Sequence, residues 1–169
     1  MSEISSGSPL TGDLNVESLT PADIEAVVAL ERQCFSSPWD EVLYTAALGR
    51  PFFRLWGIKP AGVLAGYVSV YHLGAELEII NIAVNPNQRR QGVGGALLRH
   101  VRAEARASSA ERIILEVCDN GIGMTGEERE RCMDPFFTTK PVGEGTGLGL
   151  SILYGIVKDF RGHVEIETE

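Results

Sequence analysis

Residues 81–95 read NIAVNPNQRRQGVGG, and this stretch decides how the middle of the chain folds. Its first part, as far as Val84, is apolar and typical of a strand, and the Asn-Pro pair that follows ends it. Glycines at positions 92, 94 and 95 then open an amphipathic helix. Glycines let the backbone approach a ligand closely, and the first N–H groups of a helix have no acceptor within it. The stretch therefore predicts a strand, a turn and a helix that together hold a pyrophosphate.

The rest of the chain alternates between helical and strand patterns, which indicates an α/β fold with a mixed sheet and helices on both faces. Thr20 and Pro21 have the residue types of a helix N-cap and first turn. The apolar run at 113–115 is typical of a buried strand. We predict helices at 20–34, 40–48, 92–107, 125–133 and 148–160, and strands at 14–19, 53–58, 62–72, 76–84, 112–117 and 164–168.

Composition and charge exclude several classes of protein. The chain has 169 residues, of which 44% are hydrophobic and 22% are charged, and its net charge is −8. No apolar run is long enough to cross a membrane, and the negative charge argues against a nucleic-acid surface. The three cysteines are too widely spaced for a zinc site, so no metal is expected. Residues 1–13 are predicted to be a disordered leader without the features of a signal peptide, which favours the cytoplasm.

A second glycine-rich constellation follows residue 117. Residues 119–124 read DNGIGM, and residues 145–151 read GTGLGLS at the start of a predicted helix. An aspartate just past a strand can accept a hydrogen bond from an adenine amine, and glycine-loop amides can hold phosphates. The pattern predicts an ATP site, and its candidate residues are Asp119, Gly121, Gly123, Gly145, Thr146, Gly147, Leu148 and Gly149.

The first constellation resembles motif A of the GNAT acetyltransferases, most closely the RimI-like ribosomal-protein alanine N-acetyltransferases. The resemblance extends from about residue 14 to residue 117 and includes Glu31 to Glu41 and the strand at 113–117. It implies that acetyl-CoA binds with its pantetheine along the strand and its pyrophosphate on the turn. The implied cofactor-binding residues are Ile82, Ala83, Val84, Arg89, Arg90, Gln91, Gly92, Val93, Gly94 and Gly95.

The same resemblance implies an acceptor and a catalytic base. The acceptor would be the α-amine at a peptide or protein N-terminus, and the acidic chain would suit a basic one. Acetylation of an amine needs a base and an acid, and the family's strand glutamate matches Glu116, which could instead be a solvated strand carboxylate. The family's acid, a tyrosine on the next helix, is missing from its usual place. Tyr154 is the one downstream tyrosine, and packing is the alternative explanation for it.

The second constellation resembles the ATP-binding domain of sensor histidine kinases, in the GHKL group. Residues 119–123 match its G1 box, Phe136 and Phe137 its F box, and residues 145–149 its G2 box. The N box, whose asparagine holds Mg²⁺, has no counterpart, and no phosphoacceptor histidine helix is visible. ATP binding is therefore expected to be weaker than in a complete domain, and histidine kinase activity is not expected.

Three hypotheses follow from the two resemblances. The chain is an acetyl-CoA-dependent N-acetyltransferase whose last part, from residue 118, has been replaced by a partial, Bergerat-type ATPase portion. Alternatively, it is an ATP-binding module of the histidine kinase type, or a recombinant or designed chimera without catalytic activity. The seam at 115–119 lies in a strand that both families have, so we expect residues 118–169 to pack into the same domain as residues 14–117.

Overall fold

The structure, a computed structural model, describes residues 14–117, 121–141, 145–159 and 161–168. The chain divides into two compact units, Met1–Val117 and Cys118–Glu169. The predicted leader at 1–13 and the predicted adenine-binding Asp119 lie outside the described residues. The predicted packing of the two portions into one domain stays a prediction, and each unit is described by itself.

The first unit contains a sheet and three α-helices in an order close to the predicted one. Its elements are β1 (Glu17–Ser18), α1 (Ile24–Cys34), α2 (Glu41–Leu48), β2 (Phe53–Ile58), β3 (Gly66–Leu73), β4 (Glu76–Val84), α3 (Val93–Ala107) and β5 (Arg112–Leu115). The first strand is shorter than predicted. The third begins later because residues 60–62 form a 3-10 turn in which Ala61 and Gly62 have left-handed backbones, with φ of 51° and 81°.

The five strands lie side by side in chain order, and every neighbouring pair is antiparallel except β4 and β5, which are parallel. One core lies between the sheet and helices α1 and α2, and it contains Val27, Tyr44 and Tyr67. The other lies between the opposite face of the sheet and α3, and it contains Val68 and Leu97. The predicted mixed sheet with helices on both faces is therefore confirmed.

A bulge divides β4 into two parts. The register against β3 shifts between Ser69 and Val70, whose partners on β4 are Asn81 and Ile79. Ile80 is thus an extra residue, and a bulge of this kind changes which side chains face each side of the sheet. Before the bulge the odd-numbered Ile79 packs with the α3 core, and after it the odd-numbered Ala83 packs with the α1 core.

Strand β5 differs from the prediction in length and in burial. The sequence predicts a buried strand to residue 117, but β5 ends at Leu115 and all four of its residues are exposed. Its apolar side chains are 42%, 38% and 52% exposed at Ile113, Ile114 and Leu115. The prediction of burial was wrong: an apolar run is buried only where other elements cover the faces of its strand, and these three side chains are left more than a third exposed.

The second unit contains α4 (Gly126–Arg131) and α5 (Gly149–Asp159). Both helices were predicted, and Thr125 caps α4 by a reciprocal pair of hydrogen bonds with Glu128. The strand predicted at 164–168, which would complete the Bergerat-type unit, is not formed, and those residues are irregular. A strand needs a hydrogen-bonded neighbour, and none pairs with it in the described part of this unit. No helix among the described residues is long and apolar enough to cross a membrane.

Candidate functional site

The free edge of β4 is the first part of the candidate site. Strand β4 pairs with β5 only from Glu76 to Ile79, whereas it pairs with β3 as far as Val84. The two parallel strands therefore part after Ile79. The N–H of Asn85 donates to the carbonyl of Ala65 at 2.9 Å. In an antiparallel ladder, every second residue turns its backbone N–H and C=O groups toward the same neighbouring strand. Because Asn85 faces β3, the residues one and three positions before it turn these groups away from β3.

These outward groups belong to Ile82 and Val84, which are two of the three strand residues predicted to bind the cofactor. The backbone of the third, Ala83, faces β3, and its side chain is buried in the α1 core. An extended ligand could therefore pair with Ile82 and Val84 as an added strand. Ala83 packs in the core below the strand, and its backbone groups are not directed toward such a ligand.

The start of α3 is the second part of the site and lies just after this edge in the chain. Gly92 precedes the helix with a left-handed φ of 85°, which a residue with a side chain rarely adopts. The first hydrogen bond within the helix runs from the N–H of Ala96 to the carbonyl of Gly92, at 2.9 Å. The amides of Val93, Gly94 and Gly95 therefore have no acceptor within the helix, and they carry the positive end of its dipole.

Two arginines lie in the turn between the edge and the helix. Arg89 and Arg90 are exposed, and Arg90 has a left-handed backbone with φ of 62°. The Arg89 side chain bends back, so that its Nε lies 3.3 Å from the carbonyl oxygen of Val84 and its Nη2 lies 3.8 Å from the Cys34 Sγ. The Gln91 side chain contacts the carbonyl of Asn87 at 3.5 Å. The turn thus combines cationic side chains with helix-start amides, a combination suited to a pyrophosphate.

A buried carboxylate beside the splayed strands was not predicted as a site residue. Glu31 is fully buried, and its Oε1 accepts hydrogen bonds from the hydroxyls of Tyr44 and Tyr67 and, at 2.9 Å, from the Asn81 Nδ2. Its Oε2 accepts one from the Trp39 backbone N–H at 3.0 Å. We call Glu31 and these four partners the Glu31 cluster. It joins α1, α2 and β3 to the point where β4 leaves β5.

The sequence did contain a signal for the Glu31 cluster. Ile24, Val27 and Val28 form the apolar stripe of α1, and Glu31 continues that stripe at helical spacing. A charged residue on a buried face must be hydrogen-bonded or paired. This position therefore pointed to polar partners elsewhere in the chain, although it did not identify them.

The two tyrosines of the Glu31 cluster should make stability sensitive to alkaline pH. Burial raises the pKa of Tyr44 and that of Tyr67 well above 10.0, the ordinary value for a tyrosine. Since the folded pKa lies above the unfolded one, the stabilisation is complete below pH 10 and is lost as pH rises. Two such phenols should together lower the free energy of unfolding by about 3 kcal/mol per pH unit above pH 10. Urea denaturation at about pH 9 and about pH 11 measures this.

Tyr44→Phe should weaken that pH dependence by about half, since only one of the two buried phenols then remains to titrate. Tyr71→Phe is the matched control, because Tyr71 lies on the same sheet but outside the Glu31 cluster. An unfolding free energy with the same alkaline slope in both variants would contradict the role given to the buried phenols.

The two proposed catalytic residues lie in different units. Glu116 is exposed and lies one residue beyond the end of β5. Tyr154 is on α5 in the second unit, 37% exposed, and the Lys158 Nζ lies 5.2 Å from the centre of its ring. Glu116 and Tyr154 are therefore each described within their own unit, and their joint role in one site stays a prediction.

The second unit brings two of the predicted ATP-binding boxes together. The Phe136 N–H donates to the carbonyl of Gly147 at 2.9 Å. Gly147 has a φ of 62°, and a Cβ there would lie 2.4 Å from the Phe136 carbonyl carbon, so the loop needs a glycine. Gly145 packs equally closely on Thr138. Thr146, Gly149 and Gly121 are exposed, and Gly123 has a left-handed backbone. In the described ranges, no cluster of His, Cys, Asp and Glu could hold a metal.

Part of the chain is similar to sensor kinases. Sensor kinase CckA of Brucella abortus (strain 2308) is 36% identical over 99 residues, which cover 53% of this chain and 10% of the kinase. The chain thus spans about a tenth of the length of this relative. Because the match covers more than half of the chain, it is consistent with some residues resembling both the kinases and the acetyltransferases.

The larger similarity is to acetyltransferases. A Bacillus subtilis (strain 168) protein provisionally named ribosomal protein bS18 alanine N-acetyltransferase is 32% identical over 103 residues, covering 60% of this chain and 68% of that protein. The crystal structure of the ribosomal-protein-S18-alanine N-acetyltransferase from Escherichia coli has a TM-score of 0.58 at 26% identity, covering 64% of this chain and 69% of that one. The profile of the Acetyltransferase (GNAT) family matches residues 24–125. With the splayed strand and the glycine turn in place, the chain belongs to the GNAT acetyltransferase family.

Proposed function

We propose that the chain binds acetyl-CoA on its first unit and transfers the acetyl group to the α-amine of a protein N-terminus. The observation that carries this proposal is the free edge of β4 beside the amides at the start of α3. Ile82 and Val84 would pair with the pantetheine, and the amides of residues 93–95, with Arg89 and Arg90, would hold the pyrophosphate. Acetyl-CoA is the acetyl donor of the family.

The transfer requires two proton movements by residues of this chain. Bound acetyl-CoA would supply the thioester carbon that the amine attacks, so a C–N bond forms and the C–S bond breaks. We propose that Glu116 accepts the proton of the attacking amine, directly or through water. The departing thiolate also needs a proton; Tyr154, the candidate that the sequence suggests for that step, belongs to the second unit and stays a prediction.

The relatives and the charge of the chain support a proposal for the acceptor. The two acetyltransferases compared above are named for an alanine of a ribosomal protein. Because this chain has a net charge of −8, a basic N-terminal segment would be attracted to it over several ångströms. We therefore propose a basic protein N-terminus that begins with alanine, acetylated in the cytoplasm.

A second candidate function is adenine-nucleotide binding by the second unit. The observation that favours it is the close backbone contact of Gly147 with Phe136 and Phe137. That contact holds in place a glycine loop whose amides could bind phosphates. We rank it below acetyl-CoA binding, because the sequence has no N box to hold Mg²⁺.

Calorimetric titration of the purified chain separates the two functions. We expect acetyl-CoA to bind with a stoichiometry of one and Mg-ATP to bind much more weakly or undetectably. Binding of Mg-ATP without binding of acetyl-CoA would overturn the proposal in favour of the second function. Binding of neither would favour a chimera that folds but has no activity.

Glu116→Gln tests the proposed base. If Glu116 accepts the amine proton, the variant should lose about 100-fold in kcat toward a basic peptide with N-terminal alanine. Its affinity for acetyl-CoA, measured by calorimetry, should stay unchanged. Glu111→Gln is the matched control, since Glu111 lies exposed just before the same strand. Equal rates for the two variants would remove Glu116 from the mechanism.

A further inference from the structure

The outer edge of β5 is an exposed strand with apolar side chains on both of its faces. Ile113 and Leu115 share one face, and Ile114 lies on the other. Each of these side chains is more than a third exposed. In the described part of the sheet, β5 pairs with β4 on one side only. Such an edge is a template for pairing with another strand.

The hydrogen bonds to β4 identify the backbone groups on the outer edge. The Arg112 N–H donates to the Ala75 carbonyl at 3.2 Å, and Arg112 is the register partner of Glu76. In a parallel ladder, alternate residues face the same neighbour. Arg112 and Ile114 therefore face β4, whereas Ile113 and Leu115 turn their N–H and C=O groups outward.

Only certain registers can join two of these edges around a twofold axis, because outward groups must meet outward groups. One of them places Ile114 opposite itself and Ile113 opposite Leu115 of the second copy. The two Ile113–Leu115 pairs then exchange four backbone hydrogen bonds. The same register places Arg112 opposite Glu116 of the second copy, twice, so that opposite charges meet across both ends of the contact.

We propose that this edge is a homodimer interface in which β5 pairs antiparallel with β5 of a second copy, in the register centred on Ile114. The sequence from 112 to 116, Arg-Ile-Ile-Leu-Glu, is complementary to itself in this orientation: apolar residues meet apolar residues, and each arginine meets a glutamate. An interface of this kind is isologous and closed, so it forms a dimer and not a filament. The proposal goes beyond acetyl transfer. Because Glu116, the proposed base, also lies at the end of this interface, the dimer is tested by its mass and not by activity.

Charge reversal and charge exchange test both the interface and its register. Light scattering of the full chain at high micromolar concentration should give a mass about twice the 18.3 kDa of one chain. Arg112→Glu and Glu116→Arg should each raise the monomer–dimer midpoint about tenfold or more, because like charges then meet twice. Combining the two substitutions restores opposite charges and should return the midpoint toward its original value.

Two features of the design keep the outcome decisive. Arg112 also pairs with Glu76 of its own chain, so Arg112→Glu disturbs that contact, and only the restored midpoint of the double variant assigns the loss to the interface. Arg106→Glu and Glu104→Arg make the same charge changes on exposed positions of α3 and should leave the midpoint unchanged. A wild-type monomer, or a dimer that the single and double variants weaken alike, would overturn the proposal and leave this edge to a strand of another protein.

Discussion

Replacing Gly94 with glutamate is expected to lower the affinity for acetyl-CoA about 100-fold or more, because a carboxylate then lies within a few ångströms of a bound pyrophosphate. Gly94 is the second residue of α3, and its amide has no acceptor within the helix. A Cβ at this position would lie 3.6 Å from the Val84 side chain, beside the free edge of β4. Calorimetric titration with acetyl-CoA measures the loss.

We expect the loss of affinity for acetyl-CoA to come from the added carboxylate at position 94 alone, and two further variants test this. Ala103→Glu places the same side chain on an exposed position in the second half of α3 and should bind acetyl-CoA as the wild type does. Gly94→Ala makes only an ordinary contact with Val84 and should keep the helix folded. If Gly94→Glu folds and still binds acetyl-CoA normally, the pyrophosphate lies elsewhere and the proposed site is wrong.

The second large effect is on stability. Glu31→Leu should lower the free energy of unfolding by about 3 to 6 kcal/mol, because several buried donors lose their acceptor at once and each costs about 1–3 kcal/mol. The hydroxyls of Tyr44 and Tyr67 would remain in an apolar core without the carboxylate that they now contact. A loss of this size is a large part of the stability of an ordinary domain, which is about 5–15 kcal/mol. Urea denaturation at neutral pH measures it.

Glu25→Leu provides the comparison, since Glu25 is exposed on the same helix and the same substitution there should change the unfolding free energy by about 0.5 kcal/mol or less. Glu31→Gln keeps one acceptor oxygen and should fall between the two. If leucine at position 31 were neutral or stabilising, the Glu31 cluster would not be a net source of stability, as is known for some buried polar groups.

Local patterns in the sequence predicted the elements whose signals are local. Strands β2 and β4 have the predicted bounds, and α1 and α3 lie within one or a few residues of theirs. The Asn-Pro pair that begins at Asn85 sets the end of β4 without reference to the rest of the fold. The glycine turn was equally readable, since its glycines and arginines are consecutive.

The features that the sequence did not predict depend on distant residues. The exposure of β5 depends on which elements cover its faces, and the irregular backbone at 164–168 reflects the lack of a strand neighbour in the described part of that unit. The partners of Glu31 come from four other segments of the chain, so its position on an apolar stripe could signal a cluster but not its members. The bulge at Ile80 was also invisible, because residues 79–84 are mostly apolar and show no clear alternation.

The extra residue in β4 has a consequence for how the candidate site is specified. Because Ile80 has no partner on β3, every side chain after it faces the opposite side from the one that an uninterrupted strand would give. Asn81 thereby reaches Glu31. A deletion of one residue from this strand would reverse all those orientations while leaving the composition almost unchanged. The geometry at the splay therefore depends on the length of the segment as well as on its chemistry, and an alignment gap there would be more informative than a substitution.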